Sequence, residues 1–76
     1  MKNITHLGYY NAILLLVKLY DKYGSNAVKR VYVVNDHKIG AIVDKTSMLS
    51  GAGFEEIFTI HNGEISNAET IGFWMS

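Results

Sequence analysis

Ala12 to Val17 is an unbroken run of six apolar residues, preceded by Tyr9-Tyr10 and followed closely by Leu19-Tyr20 and Tyr23. In a chain of 76 residues, no other feature limits the fold as strongly. Such a run serves as a membrane span, a secretory leader, a core helix or a partner-binding helix. A spanning helix needs about 20 mostly apolar residues, and here Lys18 ends the run, with Asp21 and Lys22 close behind. A secretory leader requires a basic start, an apolar centre and a small-residue cleavage site. His6, Asn11 and Lys18 bracket the centre, and Asp21-Lys22-Tyr23-Gly24 does not read as a cleavage site. The expectation is therefore a soluble protein with no membrane partner.

The run belongs to a helix over residues 6–23. At 3.6 residues per turn, Tyr9, Tyr10, Ala12, Ile13, Leu16, Val17, Leu19, Tyr20 and Tyr23 fall on one broad face, with Asn11, Lys18, Asp21 and Lys22 marking the opposite side. Thr5 suits the N-cap, because its hydroxyl accepts from a free first-turn amide. Gly24 suits the stop, because it adopts positive φ at little cost. The broad tyrosine-rich face is expected to cover a sheet. Leu7, Leu14 and Leu15 fall on or beside the polar side, and this displaced trio suggests a second buried contact.

Beyond Gly24 the period becomes that of strands, in a β-rich part over residues 29–75. Val31-Tyr32-Val33-Val34, the polar turn Asn35 to Lys38, and Ile39 to Val43 read as a hairpin. Thr46 to Gly53 reads as a loop, and Phe54 to Ile60 alternates as a strand. Asn62-Gly63 tolerates the two positive φ angles of a type I′ turn, which sets Ile60 opposite Ile65 and His61 opposite Glu64. A last strand, Thr70 to Met75, turns Ile71, Phe73 and Met75 to one side and Trp74 to the other. The expected class is α+β: one domain over residues 1–76, with an N-terminal helix packed on a small curved antiparallel sheet or barrel of four to five strands.

The order from Val31 to Trp74 resembles small barrels of the KOW and Tudor kind. It comprises an entry strand, Lys38-Ile39-Gly40-Ala41-Ile42-Val43-Asp44, a loop, Phe54-Glu55-Glu56-Ile57-Phe58-Thr59-Ile60, a tight turn and a returning strand. The resemblance implies a barrel that binds RNA through basic residues or methylated side chains through an aromatic cage. In this half of the chain the basic residues are Lys29, Arg30, Lys38 and Lys45, and no cage is assignable.

Chemistry-bearing patterns are sparse. His61 opposite Glu64 reads as a solvated pair at a turn. Asp36-His37 with His6 or His61 matches no metal-ligand spacing. Ser50-Gly51-Ala52-Gly53 lacks the Lys-Ser/Thr ending of a phosphate loop, although its glycines would let Met48-Leu49 move against a ligand. No nucleophile arrangement, cofactor site or metal site is expected, and the chain reads as a non-enzyme. Seven bases balance seven acids, so general attraction to phosphate backbones is not indicated. Nucleic-acid binding through Lys29, Arg30 and Lys38, with Tyr32 and Trp74 stacking on bases, is one alternative. A small-ligand sensor is another.

A chain this short buries only about 60% of its unfolded surface, and without cysteine it has no disulfide or thiolate metal to support it. Support from a protein partner is the better reading, in a homodimer or a hetero-complex. Leu7, Leu14, Leu15, Tyr10 and Trp74 are the expected contact residues. The absence of cysteine suits the cytoplasm. Neutral, compact chains of this composition are common among small phage and bacterial accessory proteins, as regulators or inhibitors.

Overall fold

In the computed structural model, which describes residues 4–45 and 51–75, one helix packs on an open four-stranded antiparallel sheet. Helix α1 spans His6–Tyr23, and the strands are β1 (Val28–Val33), β2 (Lys38–Asp44), β3 (Ala52–His61) and β4 (Glu64–Met75). The strands follow one another in the order β1-β2-β3-β4, so among the described residues β1 and β4 are the edges of an open sheet and no barrel closes. Residues 46–50 of the expected loop, including Met48-Leu49 and Ser50, lie outside the described residues.

Local signals set most of this geometry. The Thr5 hydroxyl accepts from the Leu7 N–H, and Gly24, at φ 87°, donates its N–H to Tyr20 O at 2.8 Å. Asn62 and Gly63 both have positive φ, and the register sets Ile60 opposite Ile65 and His61 opposite Glu64. The last two strands are longer than their alternation suggests, because β4 runs unbroken through the polar stretch Ser66 to Thr70.

Helix α1 lies over β1 and β2, and the face it turns inward is not the tyrosine-rich one. Gly8, Asn11, Leu15 and Leu19 are buried, with Leu15 fully enclosed. Leu15 and Leu19 join Ala27, Ile39, Ala41, Val43, Phe58 and Ile60 in the core, and Ala12, Leu14, Tyr23 and Phe54 pack against it. The Tyr23 and Phe54 rings meet edge to face at 5.6 Å.

The reason lies at the β1–β2 turn. Gly8 lets the helix come close to it: a Cβ there would stand 2.9 Å from Asp36 Oδ1 and 3.1 Å from Val33 Cγ1. One turn later the Asn11 Nδ2 donates to the Asp36 carbonyl at 2.7 Å. Asn11 is thus a buried polar group with its partner supplied, which removes most of the cost of burial.

On the opposite sheet face two aromatic rings replace missing side chains. Tyr32 stands over Gly40 and Trp74 over Gly53, each where a Cβ would otherwise project. The Tyr32 hydroxyl donates to Glu55 Oε2 at 2.5 Å, and the Arg30 guanidinium lies 5.1 Å from its ring.

Truncating the enclosed side chain, Leu15→Ala, should cost about 2–5 kcal/mol in a urea titration. Gly8→Ala should also destabilise, by about 1–3 kcal/mol from overpacking, although the same exchange on a free helix surface stabilises by about 1 kcal/mol. A Gly8→Ala protein more stable than wild type would show that the helix does not approach the turn this closely.

Candidate functional site

The buried positions 8, 11, 15 and 19 leave the opposite side of α1 facing outward, and that side is also apolar. Tyr9, Tyr10, Ile13, Val17 and Tyr20 are 58, 61, 62, 60 and 43% exposed. Their spacing follows one helical face, with Tyr10, Ile13, Val17 and Tyr20 in line and Tyr9 and half-buried Leu16 beside them. Lys18 and Lys22 stand on the flank nearer the sheet, Asp21 borders the stripe one turn beyond Val17, and no charged side chain lies within it.

This outcome reverses part of the expected assignment. Of the face expected to cover the sheet, Leu19 is in the core and Ala12 and Tyr23 pack against it, whereas Tyr9, Tyr10, Ile13, Val17 and Tyr20 face outward; Leu15, expected as a contact residue, is at the centre of the core. Leu14 is half-buried against the core and borders Gly63 at the β3–β4 turn, so only part of its side chain faces outward. Leu7 is exposed, and Tyr10 lies on the outward stripe. Trp74 is largely engaged in covering Gly53. Ile13, Val17 and Tyr20, which complete the stripe, belong to the face that periodicity assigns to the sheet. The pairing of Asn11 with the distant Asp36 carbonyl and the close approach of Gly8 to the β1–β2 turn distinguish the two faces.

A second exposed apolar surface runs along β4, through Ile65, Ile71, Phe73 and Met75. The pairing with β3 skips Ser66 and Ile71, so β4 carries a bulge at each. Bulges bend and twist a strand and interrupt its hydrogen-bonding row, which blunts an edge toward further strands. The apolar side chains of β4 are accordingly scattered along an irregular edge, whereas those of α1 form one continuous stripe.

The polar groups serve the fold. The Asp36 carboxylate faces the start of α1, accepting from the Thr5 N–H and the Thr5 hydroxyl, each at 2.7 Å. A carboxylate at this position also offsets the positive end of the helix. The Thr5 backbone N–H first, and then its hydroxyl, hold the Asp36 carboxyl below its ordinary pKa. The hydrogen bond to Glu55 is the main cause that raises the Tyr32 phenol above its usual value. His37 and His61 stack at 4.8 Å, and His37 Nδ1 lies 3.0 Å from the Ile60 carbonyl, which requires a proton on that nitrogen. Among the described residues no three potential metal ligands come together.

The basic residues of the nucleic-acid alternative do not form a patch. The Lys29 Nζ donates to the Asn26 carbonyl and Arg30 lies over Tyr32, both near the start of β1, whereas Lys38 is at the far end of the β1–β2 ladder. No helix among the described residues is long and apolar enough to cross a membrane. Comparison with known proteins finds no matching family model, curated protein or solved structure.

The Asp36 contacts give stability a definite pH dependence. A carboxyl with a depressed folded-state pKa contributes stability above its unfolded value of about 3.9, and loses it as pH falls through the folded value. Urea midpoints measured from about pH 6 down to about pH 2.5 should therefore fall more steeply in wild type than in Asp36→Asn. Parallel curves would show that the carboxylate does not hold the start of the helix.

Proposed function

We propose that this chain is a non-enzymatic protein-binding module, a small cytoplasmic regulator or inhibitor that presents the outward face of α1 to a protein surface. One observation carries this reading. The helix is apolar on both sides, yet the sheet covers only the face of Gly8, Asn11, Leu15 and Leu19. A helix that is hydrophobic all round is normally enclosed all round. Monomeric proteins seldom leave a contiguous stripe of this kind open to water.

The composition of the stripe supports the same reading. Tyrosine gives a large, stiff contact surface with a polar tip and is enriched where binding energy concentrates. Tyr9, Tyr10 and Tyr20 flank the aliphatic centre formed by Ile13 and Val17. An amphipathic helix offering anchors at these spacings is a recurring mode of recognition. The groups with displaced pKa values, Asp36 and Tyr32, are each engaged in hydrogen bonds that hold elements together, which favours binding over catalysis.

Affinity capture from the native host with wild type and an Ile13→Lys/Val17→Lys variant tests this. Proteins recovered by wild type should be lost with the variant, whose circular dichroism should be unchanged because both positions face outward. Recovery of the same proteins by both would overturn the assignment of this face. A Leu7→Lys variant should retain its captured proteins, because Leu7 lies off the stripe.

A further inference from the structure

We infer that the occupant of the outward helix face is a second copy of this chain, packed antiparallel across a two-fold axis near the level of Leu15; this rests on the binding-module reading above. In such a pair each residue meets the one an equal distance on the other side of the axis, so the two numbers add to 30. Tyr10 then meets Tyr20 of the other copy, and Ile13 meets Val17. The stripe is symmetric about its own centre in just this sense: aromatic, β-branched, β-branched, aromatic. A two-fold interface requires a surface complementary to itself, and this stripe meets that condition without adjustment.

Charge selects the same arrangement. The ionisable side chains bordering the stripe are His6 and Asp21, apart from the tyrosines themselves. A parallel pair would set Asp21 against Asp21 and His6 against His6. The antiparallel pair separates both, bringing Asp21 close to the level of Tyr10 of the other copy on the same flank of the seam, where a phenol can donate to it. No charge is enclosed.

The area is sufficient. Side chains of this size and exposure offer on the order of 500 Å² per copy, or about 1,000 Å² for the pair, which reaches the lower bound of specific interfaces. Leu16, half-buried on one flank of the stripe and one residue from the axis, lies on the same flank as its counterpart and close to its level, and adds to this. The β4 edge is a poorer candidate for joining copies, because the bulges at Ser66 and Ile71 interrupt its row of backbone groups.

Sedimentation equilibrium of the purified protein over a wide concentration range tests the inference. Wild type should approach the mass of two chains. Ile13→Lys and Val17→Glu should each weaken association by at least about 30-fold, with unchanged circular dichroism. Mixing the two variants should restore the dimer, because each introduced lysine then meets an introduced glutamate. The chain has no cysteine, so single-cysteine variants report the register directly: Ile13→Cys should form a disulfide with Val17→Cys faster than either does with itself. A monomeric wild type, a dimer that survives either charged variant, or failure of the mixture to re-form overturns the inference. If wild type is monomeric but host-protein capture still depends on Ile13 and Val17, the second copy is excluded and the binding-module reading stands. Capture indifferent to both residues removes that reading instead.

Discussion

The docking of α1 on the β1–β2 turn, through Asp36, is the contact on which the rest of the structure depends. One residue supplies two different acceptors. Its carboxylate takes the Thr5 N–H and hydroxyl, and its backbone carbonyl takes the Asn11 amide one and a half turns further along. Gly8, between them, has no side chain to hold the two apart. Three points along the first half of the helix are thereby fixed on one side, which determines its rotation about its own axis. Once the rotation is set, Leu15 and Leu19 must enter the core, and Ile13 and Val17 must face away from it. The contact therefore acts less by adding energy than by choosing between two apolar faces that hydrophobicity alone does not separate.

That choice explains which parts of the fold were legible in the sequence. The helix ends were, because Thr5 and Gly24 act through backbone groups within a few residues of themselves. The β3–β4 register was legible for the same reason, since Asn62-Gly63 dictates the turn and the turn dictates the pairing. The helix face was not. Asn11 looks like the marker of a solvated side when its neighbours are considered alone, and its partner lies 25 residues away. Gly8 likewise reads as a weak helix former until Val33 and Asp36 are brought against it. Periodicity counts apolar side chains, and here the inward face owes its position to a glycine and an amide. The outward stripe was missed by the same step, so that Tyr10 is the one residue of it that the sequence pattern assigns to a partner.

The sheet shows how a chain of this length manages two faces with only one helix to cover them. The helix side is closed over β1 and β2 by Leu15 and Leu19. Among the described residues the other side has no second layer, and it covers its thinnest points from within. Tyr32 and Trp74 fold over Gly40 and Gly53, each pair formed by directly opposed residues of neighbouring strands. Aromatic side chains placed over cross-strand glycines shield backbone that would otherwise be open, and such pairs are the unit of sheet stabilisation. This also accounts for the aromatics that suggested base stacking. They are committed to the sheet, with the Tyr32 hydroxyl held by Glu55.

Two kinds of exposed apolar surface remain, and they differ in a way that matters. On β4 the exposed side chains accompany two bulges, which are the means by which edge strands avoid adding further strands. The outward side of α1 carries no equivalent protection: Lys18 and Lys22 stand aside from it, and Asp21 touches only its border. A fold that guards one apolar surface and leaves the other clear distinguishes between them by chemistry, not by size. The small core points the same way, since a chain with so little buried area gains much from covering a further stripe of tyrosine, isoleucine and valine. The clasp at Asp36 thus also decides what the helix presents to solvent. In directing Asn11 inward, it sets the stripe of Tyr10, Ile13, Val17 and Tyr20 on the outside.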